Sequence, residues 1–314
     1  MRRALILVGV LVAVAVAGPL VAPYGPVTRF EDHLHAPPMP LRVDSGGLYT
    51  VPLRLVDRLE QTFAEDSTQR AGLPWTTPAA TPVLLLGADR LGRDVLSRTL
   101  HGARASLGLA LVATAGTLLL GALLGTWAGL AGGVVERLVL KAGDVLMVLP
   151  VLYVVVALRA ALPLVLPLPA VVAVLATIFV LLGWPRIARG VWAIVRAEAR
   201  QEHVLAATAL GATRWRVMTR HLLPACHGYL AVQTALLVPM FVLAEATLSY
   251  VGLGFPDGVP SWGTALSDAA TISAMTRAPW TLAPALAMFL VVLATNVLLE
   301  PARERHTPDV ARSG

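Results

Sequence analysis

The chain has 314 residues, of which 56% are hydrophobic and only 14% are charged, and its mean hydropathy is +0.71. A soluble domain usually carries about 25% charged residues, so this composition excludes an ordinary soluble protein and predicts that lipid is the main solvent. The net charge of +6 and the pI of about 10.2 would suit nucleic-acid binding. The basic residues are not interleaved with an aromatic platform, however, so nucleic acid is excluded as a partner.

Apolar runs that cross the hydrocarbon core of a bilayer need about 20 residues. Six such runs are found, at about 4–22, 106–131, 138–162, 168–186, 225–246 and 279–299. The sequence therefore predicts an all-α polytopic membrane protein with six transmembrane helices. Basic residues are concentrated before span one, between spans two and three, between spans four and five, and after span six, which all fall on one side. This pattern predicts a multi-pass protein of the plasma (cell inner) membrane with both termini in the cytoplasm.

The first predicted element, residues 1–22, is interpreted as a retained membrane anchor. Arg2, Arg3 and the apolar run also suit a secretory signal, but the run continues through Pro19 to Ala22 and exceeds an ordinary signal core. Residues 23–104 then form a long extracytoplasmic segment, rich in proline and of mixed charge. Within it, residues 48–59 are predicted to be a short strand or helix, and the rest to be extended.

Three histidines of the extracytoplasmic segment, His33, His35 and His101, raise the question of a metal site. His33 and His35 are two residues apart, but a pair without further ligands is typical of a solvated loop. No metal site is therefore predicted. The sole cysteine is Cys226, so an intramolecular disulfide is impossible.

Span two contains glycines at every fourth position: Gly121, Gly125, Gly129 and Gly133. On a helix they form one smooth stripe, which allows close approach of a second backbone. Packing within this subunit is the favoured interpretation, and a subunit interface is the alternative. Pro150 in span three and Pro239 in span five are predicted to kink their helices or to free a carbonyl.

Charged residues at membrane depth are candidates for a pore or gate. Lys141 and Asp144 are three residues apart, so one helix face can pair them near the membrane interface. Glu245 lies near the outer end of span five, either close to headgroup water or lining a polar cavity, and the sequence leaves both environments open. The pore or gate candidates are thus Asp144 and Glu245.

The chain shows no catalytic motif. Its only lysine, Lys141, follows Leu140, so a phosphate-binding P-loop cannot exist. The sequence also lacks an HExxH metal helix and a GxSxG nucleophile elbow. We therefore expect no enzyme activity and no cofactor.

The cytoplasmic loop of about residues 190–224 is unusually long and polar for its place between two apolar spans. "EARQEHVLAATAL" is predicted to be a helix ended by Gly211, and "ATRWRVMTRHLL" begins a second helix that leads to Pro224 at the entrance to span five. A protruding helix–Gly–helix with basic flanks suits docking into a soluble partner. The alternative is an amphipathic helix resting on lipid headgroups, which Trp215 with Arg214 and Arg216 would favour.

This loop resembles the one shared by permease subunits of binding-protein-dependent ABC importers, whose pattern is Glu-Ala-Ala, three residues, Gly, nine residues, Ile-x-Leu-Pro. The residues that match are Ala206, Ala207, Gly211, Leu223 and Pro224. Leu205 stands where the family usually has Glu, His221 departs more weakly, and Glu202 one turn earlier is a substitute carboxylate. "LGADRLGRDVLSRTLHGARASL" (86–107) and "EATLSYVGLGFPDGVPSWGTALSDA" (245–269) are similar to the "C"-type permeases of the dipeptide, oligopeptide and nickel branch. The resemblance covers about Leu86 to Pro301, and nothing is transferred to residues 23–82.

The resemblance implies a permease domain over residues 105–300 with a cytoplasmic tail at 301–314. It implies half of a translocation pore for peptides, completed by a sister permease, driven by two cytoplasmic ABC ATPases and supplied by an extracytoplasmic substrate-binding protein. The implied coupling residues are Glu202, Leu205, Ala206, Ala207, Gly211 and Pro224. Alternatives are a permease for nickel chelates, glutathione or oligosaccharides, a secondary transporter, for which no inverted repeat is found, and a membrane anchor of a larger complex.

Overall fold

The computed structural model describes residues 2–44, 47–58, 60–66, 68–75, 82–160, 167–256 and 258–304. Within them the chain is mainly helical. The helices are α1 (Arg2–Val21), α2 (Val95–Ala131), α3 (Gly133–Val148), α4 (Val151–Ala160), α5 (Leu168–Glu198), α6 (Glu202–Ala209), α7 (Arg214–Val217), α8 (Leu223–Ala225), α9 (His227–Tyr250), α10 (Trp262–Ala269), α11 (Ile272–Arg277) and α12 (Ala283–Glu304). A π-helical turn spans Met218–Leu222, and 3₁₀ turns span Glu31–His33 and Pro279–Leu282. Residues 305–314 of the predicted tail, and the end of the predicted third span at 161–162, lie outside the described ranges.

Two antiparallel hairpins form the regular structure of the segment between α1 and α2. Strand β1 (Leu41–Asp44) pairs with β2 (Gly47–Thr50), and β3 (Leu53–Asp57) pairs with β4 (Thr62–Glu65). Within the stretch 48–59, predicted as strand or helix, residues 48–50 belong to β2 and residues 53–57 to β3. The fold is helical in its membrane part, with a small amount of β-structure that a purely all-α description omits.

Four helical segments among the described residues are long and apolar enough to cross a membrane: Val95–Ala131, Leu168–Glu198, His227–Tyr250 and Pro279–Val297. They correspond to predicted spans two, four, five and six. The apolar part of α1, Ile6–Val21, is shorter. Helix α2 starts 11 residues before the predicted span, because the polar sequence from Val95 onward is helical too. The total of six crossings stays a prediction.

The predicted third span is not one helix. It is divided into α3 and α4, with Leu149 in extended conformation (φ −69°, ψ 127°) and Pro150 between them. Proline disfavours helical conformation in the residue before it and cannot donate a backbone hydrogen bond, which accounts for the break. Helix α9, in contrast, continues through Pro239.

The chain forms two compact units. Unit 1 comprises residues 1–10, 109–241 and 292–314, and unit 2 comprises residues 11–108 and 242–291. A core cluster of unit 1 joins α2, α3 and α5 through Ala128, Val139, Trp184 and Ala188. A core cluster of unit 2 lies in the segment between α1 and α2, with Ala36, Met39, Leu53, Leu84 and Ala88 packed against Phe30 and Phe63.

The glycines of α2 lie against α5 within unit 1. A Cβ added at Gly121 would lie 2.6 Å from Cβ of Ile187, and one at Gly129 would lie 2.6 Å from Cγ1 of Val195. The structure thus places these glycines at a helix contact inside this chain. Gly133 is not part of the stripe, because α2 ends at Ala131 and Gly133 begins α3 with φ +56° and open space around it.

Candidate functional site

The segment between α5 and α9, residues 199–226, is built from short helical pieces rather than the two helices predicted. Helix α5 ends at Glu198, and Gln201 is extended (φ −71°, ψ 145°) before α6 begins at Glu202. The single helix predicted for residues 198–210 is therefore wrong, since this turn separates Glu198 from the helix that begins at Glu202. A glutamate in the first turn interacts favourably with the positive end of the helix dipole, so Glu202 stabilises the new start.

Gly211 ends α6 in the manner expected from the sequence. Its φ is +83°, its N–H donates to the carbonyl of Thr208 (3.0 Å), and the N–H of Ala212 donates to that of Ala207 (3.1 Å). These two bonds form a Schellman motif, which satisfies carbonyls that the helix end leaves unpaired. The side chain of Thr213 then caps α7 by accepting a hydrogen bond from the N–H of Arg216 (3.3 Å). The chain direction between α6 and α7 is thus fixed by backbone geometry at Gly211.

Helix α6 has one buried and one exposed face. Val204 is buried (2% exposed), and Ala207, three residues later, is half-buried on the same side. Helical spacing places Glu202, Leu205, Ala206 and Ala209 on the opposite face, and all four are exposed. Ala206 and Ala207, expected to act together, therefore lie on different faces.

Large apolar side chains of this segment are exposed to an unusual degree. Leu205, Leu210 and Trp215 are 56%, 89% and 70% exposed. They stand among the exposed arginines Arg214, Arg216 and Arg220. An apolar surface with basic flanks on a fixed helix–turn–helix is suited to contact with another protein or with lipid headgroups. Pro224 is the second residue of α8, which continues directly from the π turn at Met218–Leu222.

Cys226 is fully buried at the end of the segment. Its Sγ contacts the carbonyl of Leu222 (3.4 Å), and burial, with a smaller contribution from the charge of Glu198, raises the pKa of its thiol to about 11. The thiol is therefore protonated near neutral pH and shielded from reagents.

Asp144, a predicted pore or gate residue, forms an ion pair with Arg189 of α5. The predicted partner Lys141 is not among the described ion pairs of Asp144. Both members of the observed pair are about half-exposed, with side-chain exposures of 53% and 48% for Asp144 and Arg189. Residue spacing on α3 suggested Lys141, whereas packing of α5 on α3 brings a better-placed guanidinium to the carboxylate. A gate role for Asp144 stays a prediction.

Glu245, the other pore or gate candidate, is 0% exposed. Its carboxylate accepts hydrogen bonds from three serine hydroxyls: Ser106 (2.8 Å), Ser249 (2.7 Å) and Ser261 (2.8 Å). The structure encloses Glu245 within unit 2, and a pore or gate role for it stays a prediction. The polar surroundings are supplied by side chains of α2, α9 and the loop that leads to α10.

Each of the three serines that contact Glu245 also accepts a backbone hydrogen bond. Trp262 N–H donates to Ser106 (3.0 Å), Phe255 N–H to Ser249 (3.3 Å) and Thr264 N–H to Ser261 (3.0 Å). Each hydroxyl thus connects a backbone N–H group to the buried carboxylate through two hydrogen bonds. We call this network of Glu245, the three serines and the three N–H groups the Glu245 relay. Glu245 therefore fixes the conformation of the loop between α9 and α10.

A second buried polar group in unit 2 was missed by the sequence analysis. Asp89 and Asp268 share the guanidinium groups of Arg93 and Arg98, at distances of 2.6–2.9 Å, and Arg90 also binds Asp268 (2.7 Å). Burial raises the pKa of the Asp268 carboxyl, but the charges of Arg98 and Arg93 outweigh it and hold the pKa below its usual value. The signal in the sequence was the repeated Asp/Arg pattern in "GADRLGRDVLSR", whose distant partner near residue 268 has no local signature.

Comparison with known proteins agrees with this architecture. Residues 99–311 match the family described as binding-protein-dependent transport system inner membrane component. The chain is similar to the oligopeptide transport system permease protein of Bacillus subtilis (35% identity, 72% of each chain) and to the di/tripeptide transport system permease protein of Pseudomonas aeruginosa (31% identity, 95% of this chain and 84% of that one). It is also similar to the glutathione transport system permease protein of Pectobacterium atrosepticum (32% identity, 71% of this chain and 72% of that one). The chain therefore belongs to the family of binding-protein-dependent transport system inner membrane components, which are permease subunits of ABC importers.

Proposed function

We propose that this chain forms half of the translocation pore of a peptide importer. A sister permease completes the pore, two cytoplasmic ABC ATPases drive it, and an extracytoplasmic binding protein delivers the substrate. Peptides are proposed because the relatives from B. subtilis and P. aeruginosa are peptide permeases by name. The glutathione permease among the relatives supports glutathione, itself a small peptide, as the second candidate substrate.

The observation that supports coupling to an ATPase is the exposed face of α6. A short helix that presents Leu205, Ala206 and Ala209 outward, and that is closed by a Schellman motif, is a rigid element with an uncovered apolar surface. Seated in a cleft of an ATPase, α6 would transmit closure of the ATPase dimer through α7 and the π turn to α9. Movement of packed rigid elements is a common route for such a transition.

The coupling role predicts a loss of ATPase binding when the exposed face is obstructed. Ala206→Trp adds a large side chain where the structure has free space, so the chain should insert and fold normally. It should lower the amount of ATPase that co-purifies in detergent about tenfold or more, a change of about 1.4 kcal/mol in binding free energy. Gly211→Val should have the same effect, because a β-branched residue at φ +83° costs about 1 kcal/mol or more and turns α6 out of place.

Pull-down of the ATPase with these two variants tests the coupling role. Arg137→Trp, which places the same large side chain at an exposed position of α3, is the control and should retain the ATPase. Full retention by both Ala206→Trp and Gly211→Val would exclude α6 as the coupling helix. A secondary transporter is excluded if an ATPase stays bound to the unaltered chain.

The proposed orientation places α6 in the cytoplasm and predicts the labelling pattern of an added thiol. Leu210→Cys introduces a thiol at a position that is 89% exposed, while the native Cys226 is buried and unreactive. A membrane-impermeant maleimide should label Leu210→Cys in inverted vesicles and leave it unlabelled in intact spheroplasts. Labelling in spheroplasts alone would place this loop outside the cell and contradict the proposed topology.

A further inference from the structure

Unit 2 contains an open cavity of about 170 Å³ that is lined by arginines. Four of its lining residues are Arg29, Arg90, Arg93 and Arg98, and among the lining residues that the structure describes the acidic one is Asp268. The share of liquid volume of a water molecule is about 30 Å³, so the cavity has room for a carboxylate side chain with several waters. Its walls come from the segment between α1 and α2, the first turn of α2, the loop between α9 and α10, and α10 itself.

The carboxylates at this cavity are already saturated by internal partners. Oδ1 of Asp268 accepts a hydrogen bond from Arg90, and its Oδ2 accepts hydrogen bonds from Arg93 and Arg98. Asp89 lies behind the cavity, and its Oδ2 accepts hydrogen bonds from the side chains of Arg93 and Arg98. Its Oδ1 accepts hydrogen bonds from two backbone N–H groups. Neither carboxylate has capacity left for Arg29. Arg93 and Arg98 are held in fixed positions, since their side chains are only 9% and 6% exposed, whereas the side chain of Arg90 is 52% exposed.

Arg29 adds an exposed charge at the rim of the cavity. The described ion pairs of the chain do not include one for Arg29. Its neighbour Phe30 is fixed, because the Phe30 N–H donates to the carbonyl of Gly92 (2.9 Å), and Gly92 has φ +71° with no room for a Cβ against Phe30 O. Arg93 and Arg98 are neutralised by Asp89 and Asp268, so the positive charge exposed at the opening comes from Arg29 and Arg90.

We propose that this arginine-lined cavity is a docking site for an acidic side chain of the extracytoplasmic binding protein. The inference rests on the proposed function, which places this face of unit 2 outside the membrane and supplies the partner. Guanidinium groups bind carboxylates in a planar, bidentate manner, and their fixed orientation here reduces the entropy lost on docking. The exposed charges of Arg29 and Arg90 also attract an acidic surface before contact, which raises the association rate at low salt. The cavity is open, which is sufficient for a side chain that the partner protein holds in place. A site that captures a free anion would be expected to enclose it, so a side chain of a partner is the favoured occupant.

Charge reversal at Arg29 tests the docking site without disturbing the buried pairs. The permease complex with its ATPases, in lipid nanodiscs, is titrated with the cognate substrate-loaded binding protein at 50 and 300 mM salt. Arg29→Glu should raise the Kd roughly tenfold or more at 50 mM salt, in line with the coupling of close charge pairs across interfaces, and the difference should shrink at 300 mM. Arg29→Lys should retain most of the affinity, and Arg54→Glu, a reversal at an exposed position of β3, should change the Kd less than about twofold.

The outcomes separate the docking site from the proposed function. If the ATPase co-purifies with Arg29→Glu but the Kd of the binding protein is unchanged, the docking site is wrong. If that Kd is unchanged while the peptide concentration for half-maximal transport rises, the cavity takes the carboxylate of the substrate, and the docking proposal is also overturned. If even the unaltered chain retains no ATPase, the proposed function fails and the docking proposal falls with it.

Discussion

Replacing Gly125 by alanine is expected to push α2 away from α5 and to destabilise the transporter. The added Cβ would lie 2.9 Å from Cβ of Val191 and 3.0 Å from Cα of Ala188, and closer still to the carbonyl oxygen of Ala188. Backbone atoms of a long helix cannot move aside individually, so the two helices must separate. Overpacking of a well-packed contact costs about 1–3 kcal/mol, and leucine at the same position should cost more.

Size-exclusion profiles and thermal melting of the detergent-solubilised chain measure this effect. Gly125→Ala should lower the melting temperature by about 5 °C or more and reduce the yield of the complex. Gly108→Ala is the matched control, because it lies on the same helix and its added Cβ meets no atom within 4 Å. Normal melting, assembly and transport by Gly125→Ala would show that the α2–α5 contact is not needed.

Replacing Glu245 by alanine is expected to release the loop between α9 and α10. The change leaves the hydroxyls of Ser106, Ser249 and Ser261 without their acceptor in a buried site. An unsatisfied buried polar group costs about 1–3 kcal/mol, so the total loss should be about 3 kcal/mol or more. Glu245→Gln should fall between the native residue and alanine, since it keeps one acceptor oxygen but places two N–H donors among three donating hydroxyls.

Melting temperature and protease sensitivity of the loop around residue 258 measure the loss of the Glu245 relay. We expect the order Glu, Gln, Ala in both measurements, with Ser249→Ala as a milder control that removes one hydroxyl. A pore-lining role without a structural one would give a different result. Transport would then fall in Glu245→Ala while melting and protease sensitivity stayed at native levels.

Local patterns predicted much of this fold and part of the candidate site. Apolar runs located α2, α5, α9 and α12, and Gly211 marked the end of α6, because these features depend on composition and on the backbone freedom of one residue. The partners of Glu245 and Asp144 could not be predicted in this way. Ser106 is 139 positions away from Glu245, and Arg189 is 45 positions away from Asp144, so only the packing of helices brings them together.

The division of the segment before α6 also lacked a local signal. Residues 199–201 include neither glycine nor proline, so nothing in the sequence marks the turn after Glu198. The faces of α6 were equally hidden, because Ala206 and Ala207 are chemically identical and only the burial of Val204 shows which side of the helix is covered.

The π turn at Met218–Leu222 has a consequence for chain length. A π turn contains an extra residue relative to an α-helical turn, so removal of one residue there can convert it to a regular α-helical turn that joins α7 to α8. The same deletion within α6 would rotate its later residues by about 100° and turn the exposed face toward Val204. Among chains of this kind, we therefore expect single-residue gaps between α6 and α9 to be tolerated at the π turn and to be absent from α6.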